Sequence, residues 1–316
     1  MRIVFLGTGD ISLPTLRLLI AAERFDVVGV VTQPDKPVGR KQVITPPEVK
    51  VLAQEHGIPV EQPNRVRKPE ALDKIRAWEP EVIVVMAYGQ ILPKSLLDMP
   101  RLACLNLHAS LLPRHRGAAP IQAAICDGDV QSGVTVMYVA EGLDTGDILL
   151  QHPFDLRADE TGQSLHDRLA EVAPAALAEA LDLLGKGEAP RIPQDESAMT
   201  HTGKLTREDG VMDWSKDAQE LERLVRAFDP WPGTLTYLAD GEQRKRVKVF
   251  PPVTVIPSDE TAASTPGSLE RSDSDWLVRC GNGSLLLSDI QVEGKRRMPI
   301  SQFCQGLQKQ ESLSFS

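Results

Sequence analysis

ACLNLHASLLPRHRG, residues 103–117, joins an apolar run to a polar turn that contains proline and arginine. Residues 103–107 are apolar apart from one amide, which is typical of a strand that is buried on both faces of a sheet. Asn106 and His108 lie at the end of this strand, and residues two apart project to the same side. Open α/β sheets bind their ligands at the carboxyl ends of their strands. The pair is therefore a candidate site, although a lone Asn or His is more often a hydrogen-bonded core residue.

Similar apolar runs alternate with amphipathic segments through the first half of the chain. The other predicted strands are RIVFL (2–6), DVVGVV (26–31), EVIVVMA (81–87) and GVTVMYV (133–139). This alternation predicts an α/β fold with a mostly parallel sheet. After Pro230, short strands separated by turns indicate a small all-β unit. We place the first domain at residues 1–188, a Pro- and Gly-rich linker at 189–206, and the β domain at 207–316.

Composition narrows the classes of protein to which the chain can belong. The 316 residues are 41% hydrophobic and have a net charge of −9, which indicates a globular protein and disfavours a general nucleic-acid binder. The four cysteines are scattered and the six histidines lack metal-ligand spacing, so we expect neither a disulfide framework nor a bound metal. No apolar run has the length of a spanning helix. We expect a cytoplasmic protein that does not associate with membranes.

A long helix is predicted from about Gln163 to Leu184. Thr161 is a candidate N-cap, Pro174 lies inside the helix, and Gly185 is the expected stop.

The first turn, GTGDIS (7–12), follows a strand and suggests a dinucleotide-binding loop. However, Ser12 occupies the place of the third glycine in the G-x-G-x-x-G fingerprint. The second strand also leads into Thr32 and Gln33 rather than an acidic residue. Both departures disfavour a nucleotide-dependent oxidoreductase.

A third polar side chain completes the candidate site. Asp144 lies in EGLDTGDI (141–148), which follows the next predicted strand, and we expect this loop at the same edge of the sheet. A carboxylate beside an imidazole fixes its tautomer, and an amide can hold an oxygen on which negative charge develops. Because no Ser or Cys nucleophile accompanies them, Asn106, His108 and Asp144 indicate acyl transfer by direct attack of a substrate amine. In the turn after them, Leu111 and Leu112 suit a flat ring, and Arg114 and Arg116 suit anionic groups.

NLHASLLPRHRGAAPIQ (106–122) and GLDTGD (142–147) resemble the folate-dependent formyltransferases. TQPDKPVGRK (32–41), AYGQILP (87–93), GVT (133–135) and RAFDPWPG (226–233) follow the same family in order, so the resemblance covers nearly the whole chain. It implies a Rossmann-like catalytic domain, an OB-like C-terminal barrel, and 10-formyltetrahydrofolate as the formyl donor. It implies that Asn106, His108 and Asp144 are catalytic. The residues implied to contact the folate are Ser110, Leu111, Leu112, Pro113, Gly89, Gln90, Ile91 and Leu92.

PDKPVGRK (34–41) indicates which acceptor is used. It resembles a loop with which the family members that formylate initiator methionyl-tRNA contact the acceptor stem. The implied tRNA contacts are Lys36, Arg40, Lys41 and, in the linker, Lys204. Pro34, Pro37 and Gly39 predict that this loop forms neither helix nor sheet, and its cations can contact phosphates. We therefore expect initiator methionyl-tRNA as the partner of a monomeric enzyme.

Relatives with other acceptors share the three polar residues and remain alternatives. Glycinamide ribonucleotide formyltransferases resemble only the first domain, and sugar-nucleotide formyltransferases lack a match to PDKPVGRK. A hydrolase that deformylates the folate could use the same residues with water as the attacking group, and a non-catalytic tRNA-binding module could keep the loop and the barrel. The chain also departs from the family at Gly9, where proline is usual, and at His115, where Trp or Tyr is usual. The recognition loop after Arg40 is shorter than in some members.

Overall fold

The computed structural model describes residues 1–39, 41–240, 243–257, 265–272, 275–305 and 314–316. Two compact units make up the chain, and each draws on several segments. The first unit comprises Met1–Pro120, Gln131–Asp155 and His166–Thr202. The second comprises Ile121–Val130, Leu156–Leu165 and Gly203–Ser316.

The first unit is built on a seven-stranded, mostly parallel sheet, which confirms the predicted fold class. The strands of the unit are β1 (Arg2–Gly7), β2 (Asp26–Val31), β3 (Lys36–Val38), β4 (Val43–Thr45), β5 (Val60–Glu61), β6 (Val82–Met86), β7 (Ala103–His108), β8 (Arg116–Gly117), β9 (Gln131–Tyr138), β10 (Ile148–Asp155) and β11 (His201–Thr202). The sheet order is β10-β9-β7-β6-β1-β2-β5. Strands β5, β2, β1, β6 and β7 run parallel, whereas β9 and β10 are antiparallel to their neighbours. All side chains of β6 are buried, as expected for a central parallel strand.

The helices are α1 (Leu13–Ala21), α2 (Glu48–Glu55), α3 (Pro69–Ala77), α4 (Lys94–Leu97), α5 (Pro120–Cys126), α6 (Gly162–Lys186), α7 (Ala218–Ala227) and α8 (Ile300–Gln305). Within the described residues, none of them combines the length and the apolar character that crossing a bilayer would require.

Helix α6 begins as predicted but ends later. Thr161 caps its start, because Ser164 N donates to Thr161 Oγ1 at 3.1 Å and Thr161 N donates to Ser164 Oγ at 2.9 Å. The predicted stop at Gly185 is wrong. The helix passes through it, and Gly187, with φ +72°, ends the helix instead. Gly187 N donates to Leu184 O and Glu188 N to Leu183 O, which is the pair of bonds of a Schellman cap.

The predicted irregular loop at residues 34–41 is also wrong in part, because β3 and β4 form an antiparallel hairpin. Each strand of a two-stranded ribbon has an open edge, so Pro37, which lacks an N–H, can pair with Ile44. Gly39 and Gln42 both have positive φ and close the turn, with Gln42 N donating to Gly39 O at 3.2 Å. Arg40 lies outside the described residues.

The second unit contains an antiparallel sheet of six strands around its own core. Its strands are β12 (Thr234–Asp240), β13 (Gln243–Ile256), β14 (Leu269–Ser272), β15 (Asp275–Arg279), β16 (Ser284–Val292) and β17 (Met298–Pro299). They follow the order β12-β13-β16-β15-β14, and β17 pairs with β16. The core includes Val247, Val249, Leu285, Leu287 and Ile290, which are all buried.

The last residues of the chain join the two edges of this sheet. Ser316 exchanges backbone hydrogen bonds with Tyr237 of β12, and Phe315 N donates to Gly267 O beside β14. The Phe315 ring is buried and stacks on Trp214 at a centroid distance of 6.0 Å. Closing a sheet on itself makes a barrel, in agreement with the predicted OB-like domain.

The two glycines at the end of α6 should respond in opposite ways to alanine. Gly187→Ala forces a side chain into the left-handed region and should lower the free energy of unfolding by about 1 kcal/mol. Gly185→Ala, where a Cβ would meet Met1 Cε at 3.5 Å, should raise it by about 0.5 kcal/mol because alanine favours the helix. Urea unfolding of the two variants measures both changes. Equal destabilisation would contradict a cap at Gly187.

Candidate active site

Strand β7 places three side chains at alternate positions. Cys104 is 5% exposed, Asn106 is half-buried, and His108 is 6% exposed. Within the described part of the chain, the Asn106 side-chain amide makes no hydrogen bond, so its donors and acceptor are available. Burial raises the pKa of the Cys104 thiol to about 12. The thiol therefore stays protonated at neutral pH, and a Cys104 thiolate is not available as a nucleophile.

The two ring nitrogens of His108 face different groups. Nε2 lies 2.9 Å from the backbone oxygen of His115. Because a carbonyl oxygen only accepts, Nε2 must carry the hydrogen of this bond. In the neutral ring Nδ1 then holds a lone pair, and it lies 3.7 Å from Oδ2 of Asp144. At 3.7 Å the two atoms lie just beyond hydrogen-bond distance, and a proton on either of them would make the pair a donor and an acceptor.

Asp144 reaches His108 by a different route from the one predicted. Because β9 is antiparallel to β7, its carboxyl end pairs with Leu105 and leads away from the His108 end. The expectation that Asp144 follows a strand ending at the same edge is therefore wrong. The loop between β9 and β10 instead brings the carboxylate back. Asp144 has φ +54°, and its Oδ2 accepts a hydrogen bond from Gly117 N at 2.9 Å.

The turn after His108 is held by Thr135, which the sequence interpretation missed. Thr135 is buried in β9 opposite His108. Its hydroxyl donates to Ser110 O at 2.6 Å and accepts from Leu112 N at 3.1 Å and from Gln151 Nε2 at 2.9 Å. All three positions of the hydroxyl are occupied, so Thr135 fixes the shape of this turn. Thr135 belongs to GVT (133–135), one of the stretches that resemble the family, but threonine is common in strands and its spacing indicated no role.

Of the four residues of this turn that were predicted to contact the folate, two are buried and two are half-buried. Ser110 and Leu112 are buried, with Ser110 Oγ donating to Arg114 O at 2.7 Å and Leu112 packed with Met137 and Ile148. Leu111 and Pro113 are half-buried. Leu111 and Pro113 are therefore the side chains of this turn that a ligand could contact, whereas Ser110 and Leu112 support the turn.

The second predicted folate stretch follows β6, whose carboxyl end lies at the same edge as that of β7 because the two strands are parallel. Gly89 has φ +80°. The Gln90 side chain accepts from Val66 N and donates to Pro63 O, so it is occupied within the protein. Ile91 is 91% exposed, and Leu92 packs partly into the core. Ile91 is thus the apolar side chain of this stretch that a ligand could cover.

Arg116 does not have the anion-binding role that the sequence suggested. Its side chain is 4% exposed and its guanidinium pairs with Glu196, with Nη2 2.7 Å from Oε1. Hydrogen bonding to Arg116 holds the pKa of Glu196 below its usual range. Arg116 Nε also donates to Gln194 at 2.9 Å. Arg116 therefore fastens the turn to the segment around residue 195, whereas Arg114 is exposed.

The predicted tRNA-binding residues that the structure describes, which exclude Arg40, lie on exposed segments. Lys36 begins the hairpin and Lys41 lies in its turn, and both are exposed. The hairpin also exposes the apolar side chains of Val38, Val43 and Ile44, each by more than half. Lys204 is exposed in the second unit. Within the described residues, no group of three or more His, Cys, Asp or Glu side chains could hold a metal ion.

Both units match models of one protein family. Residues 1–181 match the model described as formyl transferase, and residues 204–308 match that of the formyl transferase C-terminal domain. The chain belongs to the formyl transferase family. Methionyl-tRNA formyltransferase of Akkermansia muciniphila is 47% identical over 317 residues, which cover 100% of this chain and 99% of that protein. Methionyl-tRNA formyltransferase of Geotalea daltonii is 48% identical over 307 residues, 97% of this chain and 95% of that protein.

Solved structures of formyl transferases and of a larger protein share the fold. HypX of Aquifex aeolicus in complex with tetrahydrofolic acid has a TM-score of 0.60 at 20% identity, and the match covers 100% of this chain but 51% of HypX. WlaRD, a sugar 3N-formyl transferase solved in the presence of dTDP and 5-N-formyl-THF, has a TM-score of 0.64 at 16% identity, with coverage of 94% and 99%. At these identities the likeness extends to the fold alone.

Replacing Thr135 with valine should destabilise the protein while its shape is kept. Thr135→Val leaves Leu112 N–H and the Ser110 carbonyl without their partner in a buried place, which should cost about 2 kcal/mol of unfolding free energy. Thr45→Val on the exposed hairpin, where the hydroxyl donates to Val43 O, should change it by less than about 0.5 kcal/mol. Urea unfolding followed by circular dichroism compares the two. Similar stabilities would show that Thr135 does not hold the turn.

Proposed function

We propose that this protein transfers a formyl group from 10-formyltetrahydrofolate to the α-amine of methionine on initiator methionyl-tRNA, a step of translation initiation. Two relatives at 47% and 48% identity over nearly the whole chain are methionyl-tRNA formyltransferases. That similarity, which includes both units, is the observation that carries the proposal. The geometry of Asn106, His108 and Asp144 supports the chemistry.

In the reaction, the amine nitrogen bonds to the formyl carbon while the bond from that carbon to N10 of the folate breaks. The amine must lose a proton, and the departing N10 must gain one. His108 Nδ1 and Asp144 Oδ2 face each other at 3.7 Å, so the pair can accept the amine's proton and return it to the leaving nitrogen. The side-chain amide of Asn106, which makes no hydrogen bond to a described residue, can donate to the formyl oxygen as its negative charge grows.

The residues around this pair suit a folate. Leu111 and Ile91 offer apolar surface for a flat ring at the edge where β6 and β7 end. The hydrogen-bonded turn on Thr135 holds its backbone in one shape, and a rigid site loses less entropy on binding. The bound folate supplies the formyl group, and the protein supplies its orientation and the proton transfers.

The acceptor is favoured by charge as well as by similarity. When the carboxyl group of methionine is esterified to tRNA, the α-amine loses the neighbouring negative charge that stabilises its ammonium form. A larger fraction of the amine is then neutral and nucleophilic. Lys36 and Lys41 extend on the hairpin of the first unit. In the second unit, Arg244, Arg246 and Lys248 lie on the exposed side of β13 while Val247 and Val249 fill the core. Basic residues at alternate positions suit phosphate contacts.

Loss of either member of the proton-transfer pair should abolish most of the activity. His108→Ala and Asp144→Asn should each lower kcat for formylation of charged initiator tRNA by about 100-fold or more, because both acid–base and charge stabilisation are lost. The matched control is His152→Ala, which removes a second histidine–carboxylate pair, 2.8 Å from Glu179 at the surface, and should leave kcat unchanged. Radiolabelled formyl-methionine measures the product. Wild-type turnover in either site variant would contradict the mechanism. Release of formate from the folate at the same rate with and without charged tRNA would favour a folate hydrolase.

The segment at residues 34–41 should serve the tRNA and not the folate. Arg40→Ala should raise KM for charged tRNA by about tenfold and reduce the slope of its salt dependence by about one ion, as loss of one phosphate contact predicts. Lys74→Ala, which breaks a surface pair with Glu61, is the control and should change neither constant. Equal loss of tRNA use and folate affinity in Arg40→Ala would refute this role and would leave a sugar-nucleotide acceptor as the alternative to test.

A further inference from the structure

Gln194 lies outside the predicted site, yet it contacts the loop that carries Asp144. We propose that Gln194 is a positioning residue, which holds Asp144 at its distance from His108 by binding the main chain on both sides of residue 145. This inference rests on the proposed function, because it assigns to Gln194 a part in the same reaction.

Both N–H groups and the oxygen of the Gln194 side-chain amide have partners. Its Nε2 donates to Asp144 O at 2.8 Å and to Gly146 O at 2.7 Å. Its Oε1 accepts from Arg116 Nε at 2.9 Å. Because guanidinium nitrogens only donate, this third bond fixes which end of the amide faces Arg116 and directs both N–H groups at the loop.

The loop needs such support for two reasons. Glu141, Gly142 and Leu143 are exposed, so little packing holds this part of the loop. Asp144 itself has φ +54°, a conformation that costs about 1 kcal/mol for a residue with a side chain and persists where neighbouring contacts impose it. The two bonds from Gln194 reach the loop at Asp144 and just after it.

Gln194 is in turn held from both sides. Two residues before it, Ile192 exchanges backbone hydrogen bonds with Ile148 at the start of β10. After it, Arg116 N donates to Thr200 O at 2.9 Å, and β11 pairs with β8. The segment from Ile192 to Thr202 thus runs along the first unit, and Gln194 acts from a fixed main chain.

The bonds of Gln194 matter for chemistry because the proton-transfer pair depends on distance. The Asp144 carboxylate itself is held by the bond from Gly117 N to Oδ2, whereas Gln194 holds the main chain from which it projects. A displacement of the Asp144 main chain by about 1 Å can lower a rate by about 100-fold without weakening substrate binding. Gln194 therefore should affect kcat and leave both KM values nearly unchanged.

Gln194→Glu isolates the proposed contacts. The carboxylate keeps an acceptor for Arg116 but has no N–H for the carbonyls of Asp144 and Gly146. We expect kcat to fall by about tenfold or more, with KM for charged tRNA and for 10-formyltetrahydrofolate within about threefold of wild type. The control is Gln131→Glu, in which the altered amide bonds to Asp155 at the surface, and it should keep wild-type kcat. Gln194→Met, which adds no charge, should reproduce the loss if Gln194→Glu does not fold.

A double-mutant cycle separates positioning from general loss of structure. If Gln194 acts through Asp144, then Gln194→Glu should lower kcat by less than about twofold in an Asp144→Asn background. A loss equal to that in the wild-type background would overturn the proposal, as would a rise in KM with unchanged kcat.

Amide exchange gives a readout that does not depend on activity. The Gly117 N–H is bonded to Asp144 Oδ2, so its exchange rate reports where that carboxylate lies. We expect about tenfold faster exchange of this amide in Gln194→Glu and no change in Gln131→Glu. Unchanged exchange would overturn the proposal. If exchange rises but Asp144→Asn turns over normally, Gln194 still positions Asp144, and the catalytic role in the proposed function is what fails.

Discussion

The hydrogen bond from His108 Nε2 to the carbonyl of His115 is the interaction on which the site depends. It decides which ring nitrogen carries the hydrogen, and it thereby directs the lone pair of Nδ1 at Asp144. To supply that carbonyl, the chain must turn back within seven residues, and His115 adopts φ +58° to do so. Its N–H is bonded in turn to Thr200 Oγ1 at 2.8 Å. The tautomer of one ring thus rests on a turn that is fixed from a distant part of the sequence.

The need to fix this turn also explains the pairing of β8 with β11, although each strand has two residues. They pair where the turn after His108 meets the segment after α6, and they leave Gly117 facing Thr202 so closely that a Cβ would lie 2.1 Å from its oxygen. Gly117 also gives its N–H to Asp144. Short pairings of this kind contribute little to stability, but they bring three segments of the chain to one place.

The parts that the sequence predicted are those with strong local signals. Buried parallel strands are continuous apolar runs, and the positions of Asn106 and His108 on β7 follow from the two-residue period of a strand. The direction of β9 has no such signal, because a buried apolar strand has the same sequence pattern whether it pairs parallel or antiparallel. The path of the chain from β9 to Asp144 was therefore predicted wrongly. Gln194 could not be found, since its role comes from hydrogen bonds to main-chain atoms fifty residues away.

For contact with nucleic acid, the location of the basic residues in this chain matters more than its net charge. A net charge of −9 repels a polyanion at long range, but screening limits that repulsion to about 8 Å at physiological ionic strength. Cations on a projecting hairpin, or on alternate positions of an exposed strand, can therefore contact phosphates while the body of the protein stays acidic. Such a surface disfavours binding to nucleic acid in general. It favours binding only where several basic residues contact the same molecule at once. An acidic body with local basic contacts is thus a physical means of selecting one RNA among many.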